Sequence, residues 1–201
     1  MFLVGNLFKM EEILFLKGYL KGLGHNDAIK AITIAEKYHF GAKRKSSEPY
    51  ISHPIRIANA LISIGITDEK VIIATILHDV LEDTNMTEFE LLNVFDKDVV
   101  EIIKLVTKKK DYSNDEYYNA ISKNKYASIV KIADRCHNVS TMYFFNDDKI
   151  KNYIEETEKY IIPLCSTVSN NYPEVSNEIY YMKYHLESIL ETAKFFLNRN
   201  K

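Results

Sequence analysis

The chain has 201 residues, of which 46% are apolar and 27% charged, with six glycines and four prolines, a composition able to form one core without disulfide staples. Twenty-six basic residues against 28 acidic ones leave a net charge of −2, which excludes a protein built to coat nucleic acid. Two cysteines, Cys136 and Cys165, exclude a disulfide framework and a cysteine-rich zinc site.

Helical periodicity dominates from the start. Met1–Val4 is too short for a signal-peptide core, and the apolar run that follows is broken by Lys9, Glu11, Glu12 and Lys17, so no membrane span is expected. Leu7–Leu23 reads as a helix ended by Gly22 and Gly24, and Asp27–Tyr38 as a second with Ala28, Ile29, Ile32 and Ala35 inward. The pattern fails between Phe40 and Ser52, where Gly41, a basic cluster, two serines and Pro49 predict a loop. Pro54 opens a third helix that Gly65 ends.

Asp68 caps a fourth helix, apolar nearly all round from Val71 to Leu77 and therefore central to the core, and continuing to Asp83. Thr87-x-x-Glu90 is a capping box for a short helix. Further helices are predicted over Val99–Lys108, Asp115–Asn124, Ala127–Met142, Asp148–Ser169 and Glu174–Asn198, with Pro163 bending or interrupting the penultimate one. No segment alternates with period two. The expectation is one all-α domain over 1–201 with nine or ten helices and no significant sheet. The cysteines read as reduced thiols inside helices, in a cytoplasmic protein. Tyr180, Tyr181, Tyr184, Phe195 and Phe196 of the last helix read as core.

The chemistry begins where the fourth helix turns polar, at His78-Asp79-Val80-Leu81-Glu82-Asp83. On a continuous helix, positions 78, 79, 82 and 83 share one face. Four ionisable groups at the end of a buried helix are costly unless they are paired, bind a cation or emerge into solvent. The same behaviour recurs in Ile129–Asn138, where Lys131, Asp134, Asn138 and Thr141 form a polar stripe. A third polar element is Tyr50-Ile51-Ser52-His53-Pro54, in which Pro54 stiffens the backbone behind His53.

His53, His78, Asp79 and Asp134 together offer two imidazoles and two carboxylates. That set neutralises a divalent cation, and its mixed nitrogen and oxygen donors suit manganese, iron or zinc better than calcium or magnesium. Glu82 and Asp83 are then placed to orient an attacking water or move its proton. His39 reads as a structural histidine at a helix end. His137 points away from the Asp134 stripe, and His25 and His185 have no polar company.

Three strings resemble the alarmone hydrolase branch of the HD superfamily, which comprises the hydrolase domain of the Rel/SpoT enzymes and the free-standing small alarmone hydrolases. They are His39-Phe40-Gly41-Ala42-Lys43-Arg44-Lys45-Ser46-Ser47-Glu48-Pro49-Tyr50-Ile51-Ser52-His53-Pro54, His78-Asp79-Val80-Leu81-Glu82-Asp83-Thr84 and Val130-Lys131-Ile132-Ala133-Asp134-Arg135-Cys136-His137-Asn138. They occur in the family's order, and the likeness runs from about Ala28 to Thr141, with the helices of 148–198 completing the core. The resemblance implies a metal, usually manganese, on His53, His78, Asp79 and Asp134, and catalytic carboxylates at Glu82 and Asp83. It places Arg44, Lys45 and Ser46 along the guanine and phosphates and Asn138 near the ribose. Lys131, on the same stripe, joins the substrate-binding candidates. The implied reaction removes pyrophosphate from the 3′ position of guanosine tetra- or pentaphosphate, with no nucleic-acid or membrane partner and no room for a synthetase domain. The same chemistry on an adenine alarmone, a nicotinamide dinucleotide phosphate or a simple nucleotide remains open, as does a non-catalytic alarmone sensor. The chain departs from the family's pattern at Ala42, where Gln is usual, at Ser47, where Gly is usual, and at Asp96, which follows Phe95 in place of Gly.

Overall fold

A computed structural model describes residues 2–109 and 111–199, with residues 2–10 as helical backbone. A further basic run in the sequence, Lys108-Lys109-Lys110, lies partly outside the described residues, at Lys110. The chain forms two compact units, Met1–Tyr112 and Ser113–Lys201. Both are helical, and the described residues contain no β-strand, only an isolated bridge between Lys43 and Pro49. None of the described helices is long and apolar enough to cross a membrane.

The first unit contains α1 (Phe2–Leu23), α2 (Asn26–Tyr38), α3 (Ser52–Ser63), α4 (Glu69–Leu77), α5 (Val80–Asp83), α6 (Glu88–Leu92) and α7 (Lys97–Val106). Helix α4 is its centre. The Asp68 carboxylate accepts from the N–H groups of Lys70 and Val71, which starts the helix. Every residue from Val71 to Leu77 is buried, and α2, α3 and α7 pack around them. Side chains such as Ile72, Ile76 and Leu77 each contribute roughly 1.5–3 kcal/mol through that burial. The Thr87–Glu90 capping box is present at α6, with both reciprocal hydrogen bonds made.

The fourth helix does not continue to Asp83. It stops at Leu77, His78 and Asp79 form a turn, and α5 resumes at Val80. The His78 ring supplies a physical reason. Its Nδ1 lies 2.8 Å from the carbonyl oxygen of Thr75, the acceptor that an uninterrupted ladder would give to the Asp79 N–H.

The second unit contains α8 (Asn114–Ser122), α9 (Lys125–Ser140), α10 (Asp147–Glu156), α11 (Ile162–Asn171) and α12 (Ser176–Arg199). Helix α12 packs on α9 and α11. Ser113 and Glu116 form a second capping box, and Asn124 accepts from the Ala127 N–H at 2.9 Å to cap α9. Pro163 acts as expected, but the accommodation precedes it: a π-helical turn at Thr157–Ile161 separates α10 from α11 and absorbs the missing ladder bond. The ten predicted helices thus become twelve α-helical segments among the described residues, because two of them are divided.

Two readings of the last helix need correction. Tyr180, Tyr181, Tyr184, Phe195 and Phe196 are exposed, between 56% and 71%, while Ile179, Met182, Leu186 and Leu190 make the buried stripe of α12. An apolar pattern broad enough to encircle a helix cannot show which arc faces inward. His185 does have polar company: its Nε2 lies 3.0 Å from the Ser140 hydroxyl.

Candidate metal centre

In the first unit the loop between α2 and α3 folds back on itself. The Arg44 N–H donates to the Glu48 carbonyl at 2.8 Å, and the Tyr50 N–H to the Ala42 carbonyl at 2.9 Å. Ser47, at the tip, has φ +69°, a left-handed conformation that favours glycine, which explains why glycine is usual there. Glu48 accepts both ends of the Arg56 guanidinium, at 2.9 and 3.1 Å, and Arg56 also reaches Glu12, so the loop is tied to α3 and α1. Ser46 donates to the same Glu48 carboxylate at 3.4 Å. The Arg44 guanidinium lies 5.8 Å from the centre of the Tyr50 ring. Lys45 is exposed beside it.

The loop ends by delivering His53, buried in the first turn of α3, toward the α4–α5 turn. His53 and His78 offer ring nitrogens within 4.8 Å of each other, and their rings are 5.1 Å apart. Asp79 Oδ2 lies 3.0 Å from His78 Nε2 and 3.7 Å from His53 Nε2. The Tyr50 hydroxyl donates to Asp79 Oδ2, and it also lies 2.9 Å from Asp83 Oδ2. Burial and the Asp79 carboxylate raise the Tyr50 hydroxyl above its ordinary range, so it keeps its proton. His39, buried at the end of α2 as befits a structural histidine, stacks on Tyr50 with ring centres 4.6 Å apart. Burial lowers its affinity for a proton. Glu82 and Asp83 are both exposed, and Glu82 accepts from the backbone N–H of Lys108 at 3.4 Å.

The tautomers show what this cluster asks for. A carbonyl oxygen can only accept, so His78 Nδ1 carries the proton toward Thr75. In the neutral ring, Nε2 then presents a lone pair to a carboxylate oxygen 3.0 Å away. Two lone pairs face each other there, an arrangement stabilised by a cation between them, either a proton on the imidazole or a metal ion. His53, His78 and Asp79 are thus a donor set that fits a divalent transition metal.

In the second unit Asp134 is buried on α9, where Lys131 Nζ donates to its Oδ2 at 3.1 Å and Asn138 Nδ2 to its Oδ1 at 2.6 Å. Burial presses the Lys131 ammonium down, yet the Asp134 carboxylate holds it well above its usual range. One residue on, Arg135 turns to another cluster. It donates to Glu156 at 2.7 Å and to the Tyr118 hydroxyl at 3.1 Å, and its guanidinium lies 4.9 Å from the centre of the Tyr153 ring.

The HD-domain family model matches residues 31–164, which takes in His53, His78, Asp79 and Asp134. The chain belongs to the HD-domain family. Among relatives of this HD-domain chain, the guanosine-3′,5′-bis(diphosphate) 3′-pyrophosphohydrolase of Borreliella burgdorferi is 32% identical over 86% of the chain and 27% of that protein. The Aquifex aeolicus protein of the same name is 35% identical over 68% of the chain and 20% of its own length. A GTP pyrophosphokinase of Myxococcus xanthus is 30% identical over 86% of the chain and 24% of its length. The chain thus spans about a quarter of the curated relatives it matches. Among solved structures, a metazoan ortholog of SpoT described as hydrolysing ppGpp shares the fold, with a TM-score of 0.68 at 23% identity, over 83% of this chain and 94% of that one.

Within this HD-domain chain the structure gathers His53, His78 and Asp79 in one unit, with Asp83 linked to Asp79 through Tyr50. It gathers Lys131, Asp134 and Asn138 in the other. Tyr50 was visible in the motif but had no role there. The signal available was its position three residues before His53, which puts both on the first turn's approach to the same helix.

Proposed function

We propose that the chain hydrolyses guanosine 3′,5′-bis(diphosphate) and its pentaphosphate analogue, releasing pyrophosphate from the 3′ position and leaving GDP or GTP. His53, His78, Asp79 and Asp134 would hold a divalent metal, Mn2+ foremost. The observation that carries the reading is the Asp79 carboxylate facing two imidazole nitrogens, one with its lone pair turned inward. It is supported by the names of the Borreliella burgdorferi and Aquifex aeolicus relatives, and by the family match that runs through all four donors.

A divalent metal there supplies Lewis acidity, which lowers the proton affinity of the attacking water. Glu82 and Asp83, exposed beside Asp79, accept the proton that water gives up. Arg44 brings a planar guanidinium for the purine or a phosphate, Lys45 a point charge and Ser46 a hydroxyl, on a loop braced by Glu48 and Arg56. Lys131 and Asn138 flank Asp134 and contact the nucleotide. A reducing cytoplasm suits the two thiols, both of which burial pushes up, Cys165 to about 12.

A turnover panel with Mn2+ tests this. Guanosine tetraphosphate should be hydrolysed faster than its adenosine analogue, NADPH or simple nucleoside phosphates, with pyrophosphate released. Arg44→Lys should raise KM several-fold with little change in kcat, since it keeps the charge and loses the fork. Turnover of another panel member with guanosine tetraphosphate inert would leave the HD chemistry standing and remove the guanosine substrate. Tight binding with no turnover of any member would make the protein a sensor. The second reading, the same chemistry on another nucleotide, is favoured by Ala42 and by Ser47 at its strained φ of +69°, both beside Arg44.

A further inference from the structure

Resting on the metal site proposed above, we infer that Tyr50 is a positioning residue whose hydroxyl couples the metal-binding carboxylate Asp79 to the catalytic carboxylate Asp83. The residue is anchored on every side. Its N–H donates to the Ala42 carbonyl at 2.9 Å and its carbonyl accepts from the His53 N–H at 3.0 Å. One face of its ring stacks on buried His39, with 26° between the planes, and His53 meets it edge-on at 6.0 Å. From that fixed ring the hydroxyl reaches two carboxylates that lie 29 and 33 positions further along the chain.

Asp79 and Asp83 need such a link for different reasons. Asp79 is the N-cap of α5, beyond the point where α4 stops, so the α4 backbone alone does not aim its carboxylate. Asp83 is exposed, and its side-chain hydrogen bond among the described residues is the one to Tyr50. An exposed carboxylate otherwise samples several rotamers, and ordering it for proton transfer costs entropy that one hydrogen bond from a rigid ring offsets. A single hydroxyl proton faces two carboxylate oxygens, so one atom sets the spacing between the metal ligand and the proton acceptor. Partners of this kind, one bond beyond the ligands themselves, orient them and strengthen metal binding.

Tyr50→Phe in the full chain tests the inference, because it keeps the ring and its stack on His39 and removes only the hydroxyl. Mn2+ affinity is measured by calorimetry on the substrate-free protein, beside kcat and KM for guanosine tetraphosphate at saturating Mn2+. The expected result is Mn2+ binding weaker by about 10-fold and kcat lower by about 10-fold, with KM within about twofold and an unchanged thermal midpoint. Asp79→Asn is run in parallel. If Asp79→Asn loses Mn2+ while Tyr50→Phe binds it as wild type does, the role of Tyr50 is overturned and the metal site stands. If wild type and Asp79→Asn bind Mn2+ alike, the metal site itself is overturned, and the role of Tyr50 falls with it.

Discussion

Each unit sets a carboxylate among nitrogen donors, and the two arrangements end differently. In the second unit Glu156 meets Arg135, a cation at every accessible pH, and both share the Tyr118 hydroxyl, which also donates to Glu156 at 2.6 Å. Burial pushes the Glu156 carboxyl up, but the Arg135 guanidinium and the Tyr118 hydroxyl hold it below its usual range. That cluster is electrically complete. In the first unit Asp79 faces His53, His78 and Tyr50, none of which carries a fixed positive charge. A metal ion held by His53, His78 and Asp79, as proposed above, would add positive charge to this cluster. The Glu156 arrangement ties α8, α9 and α10 together, whereas Asp79, on the function proposed above, is a metal ligand.

The largest effect should come from the Asp79 cluster. Asp79→Ala should lose bound Mn2+, read by metal analysis of purified protein, and activity with it, since the remaining donors hold too little negative charge. Its stability should change less than its activity, and normal occupancy and turnover in this variant would refute the site. Glu82→Gln should keep metal and substrate affinity and lose turnover by ~10²-fold, as for a lost proton acceptor. Loss of metal instead would make Glu82 a ligand.

The complete cluster should respond in stability. Glu156→Gln leaves Arg135 buried without its counter-charge, and urea unfolding should show a loss of about 2 kcal/mol, moderated by the partial exposure of Glu156. The pH dependence has a definite sign. Because the folded state depresses this carboxyl below 4.5, its contribution is complete above pH 4.5 and disappears as pH falls through the folded value. The gap between wild type and Glu156→Gln should therefore be constant from pH 5 to 7 and narrow below 4.5. The smallest effect belongs to the loop. Ser47→Gly relieves a left-handed φ at an exposed site and should raise stability by up to about 1 kcal/mol, seen as a higher urea midpoint.

Local signals in the sequence determined the helices and several of their ends. Apolar spacing placed α4 at the centre, and Asp68 and the Thr87–Glu90 pair marked starts that the structure realises atom by atom. The Ser113–Glu116 box carries the same four-residue signal, although the helix predicted from sequence begins only at Asp115. The residue types of the candidate site were legible too, because ionisable groups on apolar segments are conspicuous wherever they fall. What only tertiary structure decided is which groups meet. The break after Leu77 follows from the position of one imidazole against one carbonyl, which no periodicity encodes. The outward arc of Tyr180, Tyr181 and Tyr184 was set by which side of α12 packs on α9 and α11. The bond from Tyr50 to Asp79 and Asp83 spans 29 and 33 residues, a closure that depends on how α2, α3 and α4 pack together. Helix propensity acts over a few neighbouring residues, whereas a site is assembled by contacts whose partners are distant in the chain.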